Sequence, residues 1–356
     1  MTNPLAPDLE QVLDRTADQW QELRGGRLFV TGGTGFFGCW LLESLVWAND
    51  RLDLKTRAVV LSRDPERFRV KAPHLVCHPS IEMVQGDVRD FEFPAGGFTH
   101  VVHAATEASA QLNATEPLRM LDTIVKGTRR VLEFAMARGA SKLLLTSSGA
   151  VYGRQPPGVS HLHEDHPGGP DCINPQSAYA EGKRVAELLC TIVGAKGGLE
   201  AKIARCFAFV GPYLPLDAHF AMGNFILDGL RGGPIRVKGD GTPLRSYLYA
   251  SDLAVWLWTV LFRGEPCRPY NVGSEHAISI AELADRVADA FHPRPSVEIA
   301  GVAQPGAQPE RYIPSTERAR LELGLEETVG LDEGLRRTVR WYMRQPWMVL
   351  GGASTA

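Results

Sequence analysis

The chain has 356 residues, enough for one large domain or two modest ones, and its 44% apolar and 22% charged content is that of a globular protein with a sizeable buried core. A formal net charge of −3, with acids and bases evenly scattered, leaves no basic stripe and excludes a nucleic-acid polymer as partner. The six cysteines lie far apart without a Cys-x-x-Cys pair, which excludes a disulfide framework and a zinc site. The N-terminus MTNPLAPDLE has no basic-then-apolar run, and no apolar stretch is long enough to span a bilayer, so the expectation is a cytoplasmic protein with no metal and no membrane partner.

In chain order, Leu9, Val12, Leu13, Trp20 and Leu23 recur at helical spacing and predict a helix from Asp8 to Leu23, with Asp8 and Gln11 as a capping pair, inside an N-terminal extension of residues 1–25. Arg27 to Thr31 reads as a buried strand, followed by a glycine turn, a helix from Phe37 to Trp47 and a second strand from Thr56 to Ser62. The rhythm continues with strands at Ile81–Gln85, Thr99–Ala105, Lys142–Ser147 and Ala201–Phe207, and helices at Leu118–Arg138 and Ser177–Val193. Strands alternating with helices predict an α/β fold, a Rossmann-type doubly wound parallel sheet over residues 26–210. Beyond Gly211, Gly- and Pro-rich loops break the pattern into a smaller α/β substrate lobe over 211–346, with some chain crossing between lobes, and a frayed tail over 347–356.

The segment Thr31-Gly32-Gly33-Thr34-Gly35-Phe36-Phe37-Gly38 stands where the first strand gives way to a helix. Gly32 permits the tight turn, Gly35 the close approach of backbone to a pyrophosphate, and Gly38 close packing of helix on strand, so that the phosphates of a dinucleotide rest on the helix N-terminus at Phe36 and Phe37. At the end of the second strand, where an acid would grip the ribose of NAD, stands Ser62-Arg63. The Arg63 guanidinium either pairs with the 2′-phosphate of NADP, which favours NADP over NAD, or bridges Asp64 or Glu66. After the third strand, Gly86-Asp87-Val88 places Asp87 either against the adenine amino group or in a polar turn.

Tyr179 and Lys183 are four apart in SAYAEGKRVAELL and share one helical face. A nearby ammonium and a cationic nicotinamide favour phenolate, so Tyr179 becomes able to exchange a proton near neutral pH. Thr146-Ser147-Ser148-Gly149 supplies hydroxyls where a parallel strand ends, the edge at which such sheets bind ligands; alternatively those serines cap the next turn.

Together, TGGTGFFG, His103-Ala104-Ala105-Thr106, TSSGAVYG, YAEGK and GDGTPLRSYLYASDL (239–253) resemble an extended short-chain dehydrogenase/reductase, and more narrowly the nucleotide-sugar epimerase/dehydratase family, over about residues 26–343. The resemblance implies that Ser148 or Ser147, Tyr179 and Lys183 are catalytic and that Ala104, Ala105 and Thr106 line the nicotinamide side of the cofactor channel, with Asp87 and Val88 on its adenine side. It further implies a nucleotide-diphosphate sugar held by the C-terminal lobe, with Arg245 on the diphosphate, unless Arg245 bridges Asp240, and Asn224 on phosphate or base, unless it caps its helix. A homodimer through a four-helix contact that includes the Tyr179 helix is implied as well. His161, His163 and His166 match no metal spacing and read as a solvated loop.

In this family, 4,6-dehydratases carry an Asp-Glu pair directly after the catalytic hydroxyl residue, and sugar-acid decarboxylases carry a glutamate; here the chain has Gly149-Ala150. Without those carboxylates the expectation turns to a C4 epimerase or a 4-keto-sugar reductase, with dehydratase, decarboxylase and a non-catalytic cofactor-binding sensor as alternatives. Ala208 and Ile124 also stand where the family often has Asn, which implies a remodelled substrate pocket. The loop from Pro212 to His219 either supplies replacement contacts or is a rigid structural element.

Overall fold

The computed structural model describes residues 3–106, 109–218 and 220–345. The tail expected over 347–356 lies outside them, as does His219. Seven strands form the central sheet: β1 (Arg27–Thr31), β2 (Arg57–Ser62), β3 (Ile81–Gln85), β4 (His100–His103), β5 (Lys142–Ser148), β6 (Glu200–Cys206) and β7 (Pro269–Val272). Their order is β7-β6-β5-β4-β1-β2-β3, and every neighbouring pair is parallel. β1, β2 and β5 carry buried apolar runs at Leu28–Val30, Ala58–Leu61 and Leu143–Leu145, as strands covered by helices on both faces do. The doubly wound Rossmann-type sheet is therefore as the alternation predicts.

The strand order reverses between β1 and β4, where Thr31 lies level with His103. A crevice opens beyond the carboxyl ends of those strands, and this is where a doubly wound sheet takes its ligand. The glycine turn leaves β1, Ala104 leaves β4 and Ser148 ends β5, so three segments far apart in sequence converge on one edge.

Two features differ from expectation. The predicted helix over Asp8–Leu23 is a helix at Ala6–Arg15 followed by a separate 3-10 turn at Trp20–Leu23. Asp8 is not a cap: its buried carboxylate accepts hydrogen bonds from Tyr249 Oη at 2.8 Å and from Arg337, because the extension packs into the body of the protein. Trp20 meets Trp258 with ring centroids 4.9 Å apart.

The second difference is β7, which joins the edge of the main sheet from beyond residue 210. The Ala250–Arg263 helix accompanies it into the main core; its side chains are buried all round from Ala250 to Phe262. A helix apolar on every side lacks the contrast between faces that marks a surface helix, so periodicity cannot say which layer it joins. The remaining C-terminal segments form short sheets. Leu244–Arg245 pairs with both Ile278–Ser279 and Arg311–Tyr312, and helices at Ala221–Leu230, Ile280–Asp289 and Leu331–Met343 enclose a separate small core.

Candidate active site

Gly32 adopts φ +72°, and a Cβ there would lie 2.4 Å from the Ala104 backbone carbonyl carbon and oxygen; the turn closes only without a side chain. Gly35 is the N-cap of the Phe36–Leu52 helix without any side-chain cap, and the space above its Cα holds only the Gly32 oxygen, 3.3 Å from where a Cβ would sit. The first-turn amides of Phe36, Phe37 and Gly38 have no carbonyl within the helix to bond, which leaves donors pointing out of a side-chain-free cradle. That cradle fits a dinucleotide pyrophosphate. Lys71, which drew no notice in the sequence, braces it by donating to the Thr34 carbonyl at 2.9 Å.

At the end of β2, Ser62 is buried and its hydroxyl accepts from the Asp64 amide at 3.2 Å. Asp64 in turn caps the next helix by accepting from the Arg67 amide. Arg63 acts electrostatically on Asp87, whose carboxylate is gripped bidentately by Arg89 at 2.8 and 2.9 Å. That grip holds the Asp87 carboxyl below its usual range. Arg89, two residues on, is a site neighbour that the sequence reading passed over. Val88 is buried against Gly127.

In the segment after β4, the Ala105 amide donates to Thr31 Oγ1 at 3.3 Å, and Thr106 Oγ1 accepts from Lys183 Nζ at 2.9 Å. Lys183 is 3% exposed and also donates to the Thr146 carbonyl at 2.8 Å; burial lowers its pKa to about 8. Its ammonium lies 5.9 Å from the centre of the Tyr179 ring. Tyr179 stands in the first turn of the Ala178–Gly194 helix, and its own amide is pinned by Asn113 Oδ1 at 3.1 Å.

Burial raises the Tyr179 pKa, and the neighbouring Ser148 hydroxyl opposes that rise. The expected lowering by the lysine is not what this geometry shows, because the ammonium is engaged one helical turn deeper, on Thr106 and Thr146.

Alternation along β5 settles which serine joins the tyrosine. Ser147 points to the other face, where its hydroxyl donates to Glu187 Oε1 at 2.5 Å within an Arg205–Glu187 ion pair of 2.7 Å. The phenol of Tyr312, from the short Arg311–Tyr312 strand of the C-terminal lobe, comes to the same strand end, its Oη 2.6 Å from where a Cβ on Gly149 would sit. Nothing in the spacing of the sequence announces Tyr312, since strand pairing brings it in from far downstream.

Arg245 pairs with Glu310 at 2.6 Å and not with Asp240, which caps the Thr242 turn. Asn224 lies inside its helix instead of capping it; with the amide nitrogen facing the loop, it donates to the carbonyls of Ala218 at 2.8 Å and Leu216 at 3.2 Å. The loop from Pro212 onward is held by Trp40 on the Pro212 carbonyl and by Tyr213 on Glu43, at 2.9 and 2.6 Å. Ile124 is buried against Gly182 of the Tyr179 helix, so it is a packing residue between two helices. The histidine loop is not simply solvated: Leu162 bonds both Ile313 and Ser315, and His161 meets the Glu275 carbonyl at 3.1 Å.

Comparison with known proteins agrees with this geometry. Residues 28–273 match the model of the "NAD dependent epimerase/dehydratase family". UDP-glucuronic acid decarboxylase 1 of Danio rerio is 32% identical over 319 residues, covering 90% of this chain and 73% of the relative. Among solved structures, dTDP-glucose 4,6-dehydratase of Streptomyces venezuelae, determined with NAD bound, superposes with a TM-score of 0.74 at 26% identity, covering 89% of this chain and 96% of the other. UDP-glucose 4-epimerase of Thermus thermophilus, also with NAD, gives 0.73 at 27% identity over 89% and 99%. The chain is thus an enzyme of the NAD-dependent epimerase/dehydratase family, the nucleotide-sugar branch of the extended short-chain dehydrogenases/reductases.

Proposed function

We propose that the chain oxidises a nucleotide-diphosphate sugar at C4, and that this sugar is a hexuronic acid whose carboxylate then leaves as CO2. The observation that carries the reading is the Tyr179–Ser148 contact at the end of β5, beside a buried lysine and across the crevice from the glycine cradle. Nicotinamide dinucleotide, when bound, supplies the hydride acceptor and later the donor at C4. Tyr179 as phenolate takes the C4 hydroxyl proton, Ser148 donates to the same sugar oxygen, and Lys183, fixed by Thr106 and Thr146, supplies positive charge beneath them.

The product of that oxidation is a β-keto acid. The electron pair of its C5–C6 bond flows into the C4 carbonyl as CO2 departs, and Ser148 and Tyr179 hold the resulting enolate oxygen. No carboxylate is needed to break that bond. Gly149-Ala150 therefore weighs against dehydration, which must remove a proton and a hydroxide from neighbouring carbons, far more than against decarboxylation. The similarity to UDP-glucuronic acid decarboxylase supports the same choice and reverses the preference drawn from the missing carboxylates alone. C4 epimerisation or reduction of a 4-keto sugar is the second reading, favoured by the lack of any carboxylate at 149 and 150 and by the epimerase likeness.

UDP is the nucleotide we assign, by analogy with the decarboxylase relative, with Arg245 turning from Glu310 to the diphosphate. Arg63 and Arg89 about Asp87 favour a cofactor with a 2′-phosphate, NADP. The assembly is a cytoplasmic homodimer.

The test is a screen of purified protein against UDP-, dTDP-, CDP- and GDP-linked hexuronic acids, neutral hexoses and 4-keto sugars, with CO2 and sugar products measured. A nucleotide-linked pentose with stoichiometric CO2 is expected; a C4 epimer or alcohol without CO2 overturns decarboxylation in favour of the second reading. Tyr179→Phe should lower turnover about 1,000-fold while cofactor still binds.

A further inference from the structure

CO2 loss leaves an enolate spanning C4 and C5, and C5 must then gain a proton on one face. Tyr179 is occupied at the C4 oxygen in the reading above, and Lys183 is committed to Thr106 and Thr146. Cys206 is buried within β6 with its thiol turned to the Ala204 carbonyl of its own strand. Among the described residues, Tyr312 is the further ionisable side chain that reaches the end of β5, its Oη lying 2.6 Å from where a Cβ on Gly149 would sit, next to Ser148.

Its placement is well defined. Strand pairing sets Tyr312 level with Arg245, and its ring packs on Phe207 with centroids 4.7 Å apart. Both rings crowd the end of β5: a Cβ on Gly149 would lie 2.6 Å from Tyr312 Oη and 2.6 Å from Phe207 Cζ. Gly149 is thus the small residue that lets a phenol from the C-terminal lobe reach the catalytic hydroxyl. Tyr312 and Tyr179 each keep part of their surface exposed, whereas Ser148 between them is buried.

We infer that Tyr312 is a second catalytic acid, which protonates sugar C5 after the carboxylate has left; this rests on the decarboxylation reading. The balance closes through the three hydroxyls. Tyr179 takes the C4 hydroxyl proton, the C5–C6 electron pair leaves CO2 behind and becomes the enolate, and Tyr312 gives its proton to C5. The resulting Tyr312 phenolate regains a proton from Tyr179 through Ser148. The hydride removed from C4 returns there, and water supplies the one further proton that the new C4 alkoxide needs, so the net change is uronate plus one proton to pentose plus CO2. Burial raises the Tyr312 pKa, which keeps the phenol protonated through neutral pH, as a donor must be.

Tyr312→Phe keeps the ring on Phe207 and removes only the hydroxyl. The experiment compares wild type and this variant in D2O with UDP-linked hexuronic acid, following the first-turnover CO2 burst, the steady-state pentose rate and the position of deuterium at C5. The expected result is a retained burst, a pentose rate lower by about 100-fold, and deuterium spread over both C5 positions where wild type fills one. A variant with unchanged rate and a single deuterated position overturns the assignment. Loss of the burst also overturns it, since Tyr312 then serves the C4 step; the melting temperature and cofactor affinity of the variant show whether the fold is intact. A wild type that releases no CO2 from any hexuronic acid sinks the decarboxylation reading itself, an outcome distinct from either failure of the variant.

Discussion

Ser148 lies between two phenols, and the effect of removing its hydroxyl has a definite sign. Burial pushes the Tyr179 phenol up, and the Ser148 hydroxyl beside it opposes that push. Because the phenolate is the base, activity rises as pH passes the phenol pKa. Ser148→Ala removes the opposing contribution, so the acidic limb of the kcat/KM profile should move to higher pH, with turnover near neutrality down by about 100-fold. A pH–rate series on both proteins checks it; a limb that stays in place would show that Ser148 does not set the phenol. Ser147→Ala should leave that limb where it is and act through Glu187 and Arg205. The sequence offered the two serines as equals, and only the pleat of β5 separates them. Tyr179 and Lys183 were legible from their spacing, but the lysine's partners were not, since Thr146 belongs to β5 and Thr106 to the loop after β4.

At the scale of elements, β1, β4 and the Pro117–Ala137 helix are tied together by one buried imidazole. His103 meets Thr31 Oγ1 at 2.8 Å through Nδ1 and Thr128 Oγ1 at 3.0 Å through Nε2. Burial, with a smaller contribution from the Lys183 charge, lowers its pKa to about 3, whereas an unfolded chain titrates near 6.5. The folded pKa is depressed, so the unfolded state binds the extra proton between those values. His103's share of stability is complete above about pH 6.5 and falls as pH drops towards 3, by up to about 1.4 kcal/mol per pH unit. Denaturant midpoints between pH 7 and 4.5 should show this slope in wild type and a shallower one in His103→Gln; equal slopes would rule out the neutral imidazole as its source. His100, also depressed by burial, acts in the same direction and remains in both proteins. The glycine turn and the strand ends around this tie were readable because turn chemistry is local. The placement of β7 and of the Ala250–Arg263 helix was not, because a uniformly apolar segment carries no address.

At the scale of the whole molecule, the homodimer proposed above has a candidate contact face. The Pro117–Ala137 and Ala178–Gly194 helices pack side by side. Each leaves apolar side chains outside: Leu118 and Met136 are 77% and 49% exposed on the first, Leu188 and Ile192 57% and 48% on the second. Leu118 and Met136 are separated by about five whole helical turns, and Leu188 and Ile192 by about one, so each pair lies along one stripe. Between Leu118 and Met136 the same side of the first helix carries Asp122, Arg129 and Glu133 in i,i+4 ion pairs, so the proposed contact with a second copy would centre on Leu188 and Ile192, with Leu118 and Met136 as outlying apolar contacts within a charged border. The same second helix carries Tyr179 and Lys183 near its start, so in the proposed dimer the contact would also pack against the helix that holds them. Leu188→Glu with Ile192→Glu places two carboxylates in that contact, and burying them unpaired costs several kcal/mol. Sedimentation of wild type at micromolar concentration should give a dimer and the double variant a monomer, with turnover reduced through a lower kcat while each chain still binds cofactor. A double variant that remains dimeric, or a wild type that sediments as a monomer, would place the subunit contact elsewhere or remove it. A monomer with undiminished kcat would separate assembly from catalysis and leave the Tyr179 helix ordered by its own chain alone.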